Sequence, residues 1–280
     1  MTITGKTIVA GVVGHPITHS LSPVLHNAWL QAAGIDGVYI ALDVDELQFP
    51  NFVNSIRASS IRGLNVTIPF KEQALALADD AHPRARRARA ANVLVFNAGG
   101  EIWADNTDGL GLIVALKDQA PGFEATIGPA VVLGAGGAAR GAVGALLDAG
   151  CREVRIVNRT RLRADTLAED LGVAAYDIGD LQTVLRDAAL VINATSGGLS
   201  GAESLDVPLA VTPQDCIIMD MVYRPLKTPF LAAAEALGRQ TVDGLAMLIG
   251  QAIPSFEAFF GVPPPTSVAV RDLAIQALEL

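Results

Sequence analysis

Cysteine is almost missing from this chain of 280 residues, which holds only Cys151 and Cys216. Two cysteines build neither a disulfide framework nor a thiolate zinc site, and each is expected to be a small buried thiol. Charge is scarce too, at 18% of residues, and the balance is -9 at neutral pH with a pI near 4.9. Such a balance excludes a broad basic surface for nucleic acid or an anionic membrane. The N-terminal residues lack the basic, apolar and small-residue order of a secretory signal. The longest stretch free of Asp, Glu, Lys and Arg runs from Thr7 to Ile35. It holds His15, Pro16, His19, Ser20, Ser22, Pro23, His26 and Asn27, so it is no lipid-facing helix. A soluble, cytoplasmic protein is expected, with no nucleic-acid partner and no membrane partner.

What the chain does have is apolar character: 51% hydrophobic residues and a mean hydropathy of +0.40, which rule out intrinsic disorder. Its length fits roughly two domains at about 150 residues each. Short β-rich runs alternate with helical patterns, the mark of an α/β protein with largely parallel strands. Strands are expected at Thr7–Val13, Val38–Val44, Gly63–Ile68 and Val93–Phe96, with helices near Val24–Ala33, Glu46–Ala58 and Phe70–Ala78 between them. After Asp108 the pattern restarts, with strands at Ala130–Leu133, Val154–Val157, Ala189–Ile192, Cys216–Asp220 and Thr241–Val242. Helices are expected from the glycine turn to Ala149 and at Arg161–Leu171. Two closing helices, Leu245–Phe260 and Val268–Leu278, cannot bury a core alone and should return to the first domain. The expected division is therefore 1–107 plus 245–280, against 108–244.

The segment Val131-Val132-Leu133-Gly134-Ala135-Gly136-Gly137-Ala138-Ala139 reads strand, turn, helix start. Gly134, Gly136 and Ala139 fit G-x-G-x-x-A, in which the first glycine makes a tight turn and the second admits a pyrophosphate. Ala139 would let helix and strand pack closely, and the helix N-terminus supplies N–H donors to the anion. At the tip of the next strand an NAD site usually carries a carboxylate for the ribose 2′-hydroxyl. Here the tip reads Asn158-Arg159-Thr160, with Arg163 close behind. Arginine forks suit a 2′-phosphate, which favours NADP(H). The alternative is a solvated helix start, for which arginine is poorly placed against the helix dipole.

Three of the four histidines fall between positions 15 and 26. Pro16 and Pro23 break any face that could gather them, and no carboxylate lies in that stretch, so no metal site is expected. Ser20 and Ser22 read as hydroxyls at a helix entrance; N-capping by Ser22 ahead of Pro23 accounts for one of them only. Asn65 and Thr67 share a face at a strand's end, and Lys71, one of only four lysines, follows at a helix entrance. Asp108 stands at another helix start, where capping is the competing explanation.

Together these segments resemble the shikimate dehydrogenase family over nearly the whole chain. The motifs run in order: Ser20-Leu21-Ser22-Pro23 with His26-Asn27; Asn65-Val66-Thr67-Ile68-Pro69-Phe70-Lys71; Asn106-Thr107-Asp108-Gly109; and Gly134-Ala135-Gly136-Gly137-Ala138. Asn158-Arg159-Thr160, Asn193-Ala194-Thr195-Ser196, Asp220–Pro225 and Gly244–Gln251 complete the set. One departure stands out: Arg89-Ala90-Ala91-Asn92-Val93 occurs where the family usually reads Gly-Ala-x-Asn-Thr.

The resemblance implies two α/β domains, an N-terminal substrate domain and a Rossmann-type NADP-binding domain, with a cleft between them and the C-terminal helices returning to the first. It implies NADPH-dependent, reversible reduction of 3-dehydroshikimate to shikimate, on the route to chorismate and aromatic amino acids. Ser20, Ser22 and Tyr223 would hold the substrate carboxylate, while Asn65, Thr67, Lys71, Asn92, Asp108 and Gln251 would surround its hydroxyls and ketone. Gly134, Ala135, Gly136, Gly137 and Ala138 would cradle the pyrophosphate. Asn158, Arg159, Thr160 and Arg163 would take the adenosine end, and Thr195, Met221, Gly244 and Met247 would border the nicotinamide. Lys71 is the expected general acid in reduction, with Asp108 its partner; the proton belongs to the pair. Two other readings stay open: a quinate/shikimate dehydrogenase using NAD(P), and a catalytically silent NADP-binding regulator. The chain is expected as a monomer or homodimer.

Overall fold

Apolar runs too short for helices, set between glycine, proline and asparagine, become strands, and the described residues pair them into two six-stranded sheets. The structure is a computed structural model that describes residues 3–195 and 206–279. It divides into a first unit of Met1–Thr107 with Gln251–Leu280 and a second of Asp108–Gly250.

The first unit opens with β1 (Ile8–Gly14), α1 (Ser22–Ala33), β2 (Gly37–Asp43), α2 (Phe49–Ile56), β3 (Ile61–Val66) and α3 (Lys71–Leu77). It continues through β4 (Asp80–Ala81), α4 (Pro83–Ala88), β5 (Val93–Phe96) and β6 (Ile102–Asp105). The strand order is β2-β1-β3-β5-β6-β4, with β1 parallel to both neighbours. The strands are largely parallel, as expected, and β5 is the exception, running antiparallel to β3 and to β6. The reason is local. β5 and β6 are joined by a tight turn in which the Asn97 N–H donates to the Glu101 carbonyl at 2.9 Å, and a link that short permits only antiparallel pairing. One apolar cluster gathers Val13, Leu64, Val66 and Leu94 with Phe49 and Phe70, whose rings stack at 4.3 Å.

The second unit runs α5 (Asp108–Gln119), β7 (Ala130–Leu133), α6 (Gly137–Asp148), β8 (Val154–Asn158), α7 (Arg161–Leu171) and β9 (Ala174–Asp177). Next come α8 (Leu181–Val184), β10 (Leu190–Asn193), β11 (Ile217–Asp220), α9 (Pro229–Ala236) and β12 (Gln240–Val242). Helix α10 (Gly244–Phe260) carries the chain back to the first unit, which α11 (Val270–Leu278) completes. All neighbours in this sheet are parallel, in the order β12-β11-β10-β7-β8-β9. Read from β9, that is the 3-2-1-4-5-6 order of the Rossmann fold. Both faces are covered: Val131 and Leu133 enter one apolar cluster with α8 and α9, while Val132 joins another with α5 and α6. Double coverage explains why these strands read as continuous apolar runs. No helix among the described residues is long and apolar enough to cross a membrane.

Candidate active site

In the first unit, the polar residues collect where β1 and β3 end side by side. The Thr67 N–H donates to the Val13 carbonyl and the His15 N–H to the Ile68 carbonyl, so the two exits are tied together. Ser22 is the first residue of α1 rather than its N-cap; Leu21 holds that position, and its side chain makes no cap. Capping therefore does not account for Ser22, which is 5% exposed. Ser20 lies just outside, its Oγ accepting from the Ser22 N–H at 3.3 Å.

Behind the serines lies a closed network of buried amides. Asn65 Nδ2 donates to the Asn92 carbonyl (3.1 Å) and to Ser255 Oγ (2.9 Å), and Asn65 Oδ1 accepts from the Tyr39 hydroxyl (2.7 Å). Asn92 Nδ2 reaches Thr107 Oγ1 (3.0 Å) and Gln251 Oε1 (3.2 Å), while Asn92 Oδ1 accepts from the Thr107 N–H (2.8 Å). Thr107 and Ser255 each donate to the Gln251 carbonyl at 3.1 Å. The Asn92 backbone is held as well. Its N–H donates to the carbonyl of Asp105, a buried carboxylate gripped at both oxygens by Arg84. The Ala91 N–H donates to the Lys71 carbonyl at 2.8 Å, which places the start of α3 against this strip. Lys71 is the first residue of that helix, where a cation opposes the dipole and helix stability offers no reason for it.

The histidines near the serines separate. His15 pairs with Asp43 at 2.6 Å, an exposed contact that raises the imidazole above its ordinary pKa. His26 is fully buried, and burial pushes it down to about 3, so it is neutral at working pH. Among the described residues, no group of three His, Cys, Asp or Glu side chains gathers that could hold a metal ion.

In the second unit, the turn after β7 has the shape that a dinucleotide requires. Gly134 has φ +112, and a Cβ there would stand 3.1 Å from the Ala194 carbonyl oxygen, so the position needs glycine. A Cβ on Gly136 or Gly137 would meet nothing within 4 Å, which leaves open space over the N-terminus of α6. Ala139 behind them is fully buried. At the end of β8, Asn158 Nδ2 donates to the Thr160 carbonyl (2.9 Å) and holds the tip. The arginines here differ sharply. Arg155 is bound by Asp187 and Glu153, and Arg161 by Asp165, whereas Arg159 and Arg163 are exposed and have no carboxylate partner among the described residues.

Thr195, at the end of β10, bonds Asn193 Oδ1 through its N–H (3.1 Å) and hydroxyl (2.7 Å). Asn193 in turn donates to Asp220 at 3.1 Å, and burial raises the Asp220 carboxyl. Ser196 lies outside the described residues. A Cβ on Gly244 would stand 2.5 Å from the Met221 carbonyl, so glycine lets α10 start against this loop; Met221 packs on the cluster that holds Met247. Tyr223 follows in the same loop, its phenol raised by burial.

Residues 12–94 match the shikimate dehydrogenase substrate binding domain, 123–221 the shikimate / quinate 5-dehydrogenase family and 244–271 the shikimate 5′-dehydrogenase C-terminal domain. The chain belongs to the shikimate dehydrogenase family. It is 54% identical to a Caulobacter vibrioides protein named shikimate dehydrogenase (NADP(+)), over 99% of this chain and 98% of that one. Its fold matches a shikimate 5-dehydrogenase from Thermus thermophilus, solved with NADP(H) and shikimate, at a TM-score of 0.87 and 38% identity, over 97% and 100% of the two chains. A quinate dehydrogenase from Corynebacterium glutamicum, solved with NAD, also matches at 0.87 with 28% identity, over 98% and 99%.

The first unit thus gathers Ser20, Ser22, Asn65, Thr67, Lys71, Asn92 and Gln251, while Asp108 and Tyr223 belong to the second. Sequence reasoning missed Tyr39, Thr107 and Ser255 as members of the network. Ser255 left a trace, standing one helical turn from Gln251. Tyr39, mid-strand among apolar residues, left none.

Proposed function

We propose that the chain is an NADP-dependent shikimate dehydrogenase that reversibly reduces 3-dehydroshikimate to shikimate in the cytoplasm. The observation that carries this reading is the buried cluster of Asn65, Asn92, Thr107 and Gln251 beside Lys71, a hydrogen-bonding surface for a compact polyhydroxylated ligand, in a chain of this family. Residues 1–107 and 245–280 would form the substrate-binding domain, and 108–244 the NADP-binding domain. Ser20, Ser22 and Tyr223 take the carboxylate; Asn65, Thr67, Asn92 and Gln251 take the hydroxyls.

The open turn fits a pyrophosphate, with Gly134 to Ala138 around it and donors from α6. Asn158, Arg159, Thr160 and Arg163 hold the adenosine end, and Thr195, Met221, Gly244 and Met247 border the nicotinamide. Bound NADPH supplies a hydride. Lys71 stabilises the charge that develops on the ketone oxygen and delivers its proton, with Asp108 orienting the ammonium. A carboxylate substrate and a phosphorylated cofactor are the small-molecule partners, and the chain works as a monomer or homodimer.

The quinate dehydrogenase match keeps a second reading in view, since quinate differs by a hydroxyl at the carbon that bears the carboxylate. Absorbance at the NADPH band, with shikimate or quinate and NADP or NAD, tests both. The expected result is the highest kcat/KM for shikimate with NADP. A preference for quinate with NAD would establish the second reading. Tight NADPH binding without any turnover would mark a silent regulator.

A further inference from the structure

Tyr39 is 1% exposed and sits in the middle of β2, yet its hydroxyl is the hinge of the substrate-side network. Proton counting fixes the direction of each bond. Asn65 Nδ2 faces the Asn92 carbonyl, which can only accept, so the amide orientation is settled and Asn65 Oδ1 faces Tyr39. The Tyr39 hydroxyl therefore donates its single proton to Asn65. Both Asn65 amide hydrogens are committed, to Asn92 and Ser255, which leaves Asn65 only an acceptor to offer a ligand hydroxyl.

The ring is held as firmly as the hydroxyl. His26 stacks on it at 4.0 Å and 8°, and is itself flanked by Trp29 edge-on at 5.6 Å and by Phe256 at 5.9 Å. Neither His26 nitrogen has a hydrogen-bond partner among the described residues, so the neutral imidazole acts on Tyr39 through its face alone.

We propose that Tyr39 is a positioning residue for substrate: its hydroxyl fixes the Asn65 amide as an acceptor, so that one buried group sets the hydroxyl-binding side of the site. This rests on the reading of the first unit as the shikimate site. Phenylalanine at position 39 preserves the stack on His26 and removes only the donor.

The test is steady-state kinetics and thermal melting of the full chain as wild type, Tyr39→Phe, Asn65→Ala and the double variant. Tyr39→Phe should raise the KM for shikimate about tenfold, the effect of one lost hydrogen bond. It should leave kcat and the KM for NADP within about threefold, and melt close to wild type. Added to Asn65→Ala, it should raise KM little further, because both substitutions break the same unit. An unchanged KM, full additivity, or a defect confined to melting temperature overturns the proposal. A wild type that turns over neither shikimate nor quinate fails at the first step and overturns the functional reading, and this inference with it.

Discussion

The two units solve recognition in opposite ways. In the first, the amides proposed to meet substrate are buried and locked by bonds within the unit: Asn65 to Ser255 and Tyr39, and Asn92 to Thr107 and Gln251. In the second, the proposed cofactor surface is backbone and open space at Gly136 and Gly137, with exposed arginines at the next strand tip. A site of interlocked amides is rigid and coupled, so one substitution disturbs several contacts. A site made of backbone shape and separate charges divides into parts that can be altered singly. The difference matches the ligands. A small polyol is distinguished by the direction of each hydroxyl, whereas a long dinucleotide is gripped at separate points.

The largest expected effect tests the chemistry of the coupled side. Lys71→Met should lower kcat about 10²- to 10⁴-fold with a modest change in the shikimate KM, the signature of a lost proton donor. Near-normal turnover would remove Lys71 from the mechanism. The next effect separates fold from binding on the open side. Gly134→Ala places a side chain in backbone space left to glycine, against the Ala194 carbonyl, and should destabilise by about 1–3 kcal/mol in thermal unfolding. Gly136→Ala meets no protein atom, so the melting temperature should hold while the KM for NADP rises. If both variants lose stability alike, the second unit is no more separable than the first.

Smaller still is Arg159→Ser. The residue has no carboxylate partner among the described residues, so stability should not move. The kcat/KM with NADP should fall about 10- to 100-fold, as expected for a lost charge-assisted bond, and that with NAD should not. Equal losses with both cofactors would show that Arg159 does not read the 2′-phosphate.

What the sequence made legible follows the same divide. The second unit was plain because a sheet covered on both faces leaves continuous apolar strands, and because the Gly134 turn needs residues that nothing replaces. The short edge strand β9, with Ala174 and Ala175, was not, since small residues carry little strand signal. In the first unit, β6 escaped because Ile102–Asp105 ends in a buried carboxylate whose charge is met by Arg84, and Arg84 lies on another element. Tyr39 escaped for a like reason. A partner 26 positions away leaves no local pattern.

The smallest effect concerns the one place where the chain departs from its family's usual motif. Arg89, where glycine is usual, ends α4 with φ 52, the only non-glycine residue at positive φ among those described. The turn closes through the Ala90 N–H to the Ala85 carbonyl at 3.3 Å, a helix ending that glycine adopts without cost. Arg89→Gly should therefore stabilise the protein by about 1 kcal/mol, which raises the melting temperature by about 2–4 °C. Catalysis should not follow. The backbone of Ala91 is fixed by Lys71 and that of Asn92 by Asp105, downstream of the strained residue, and Val93 is buried in β5 at a position where the usual threonine hydroxyl is not needed to hold Asn92. A gain in stability with unchanged kcat/KM would show that the amide network is fixed by its own bonds rather than by the turn that leads into it. A change in the shikimate KM would show the reverse, and would extend the coupled side of the molecule as far as α4.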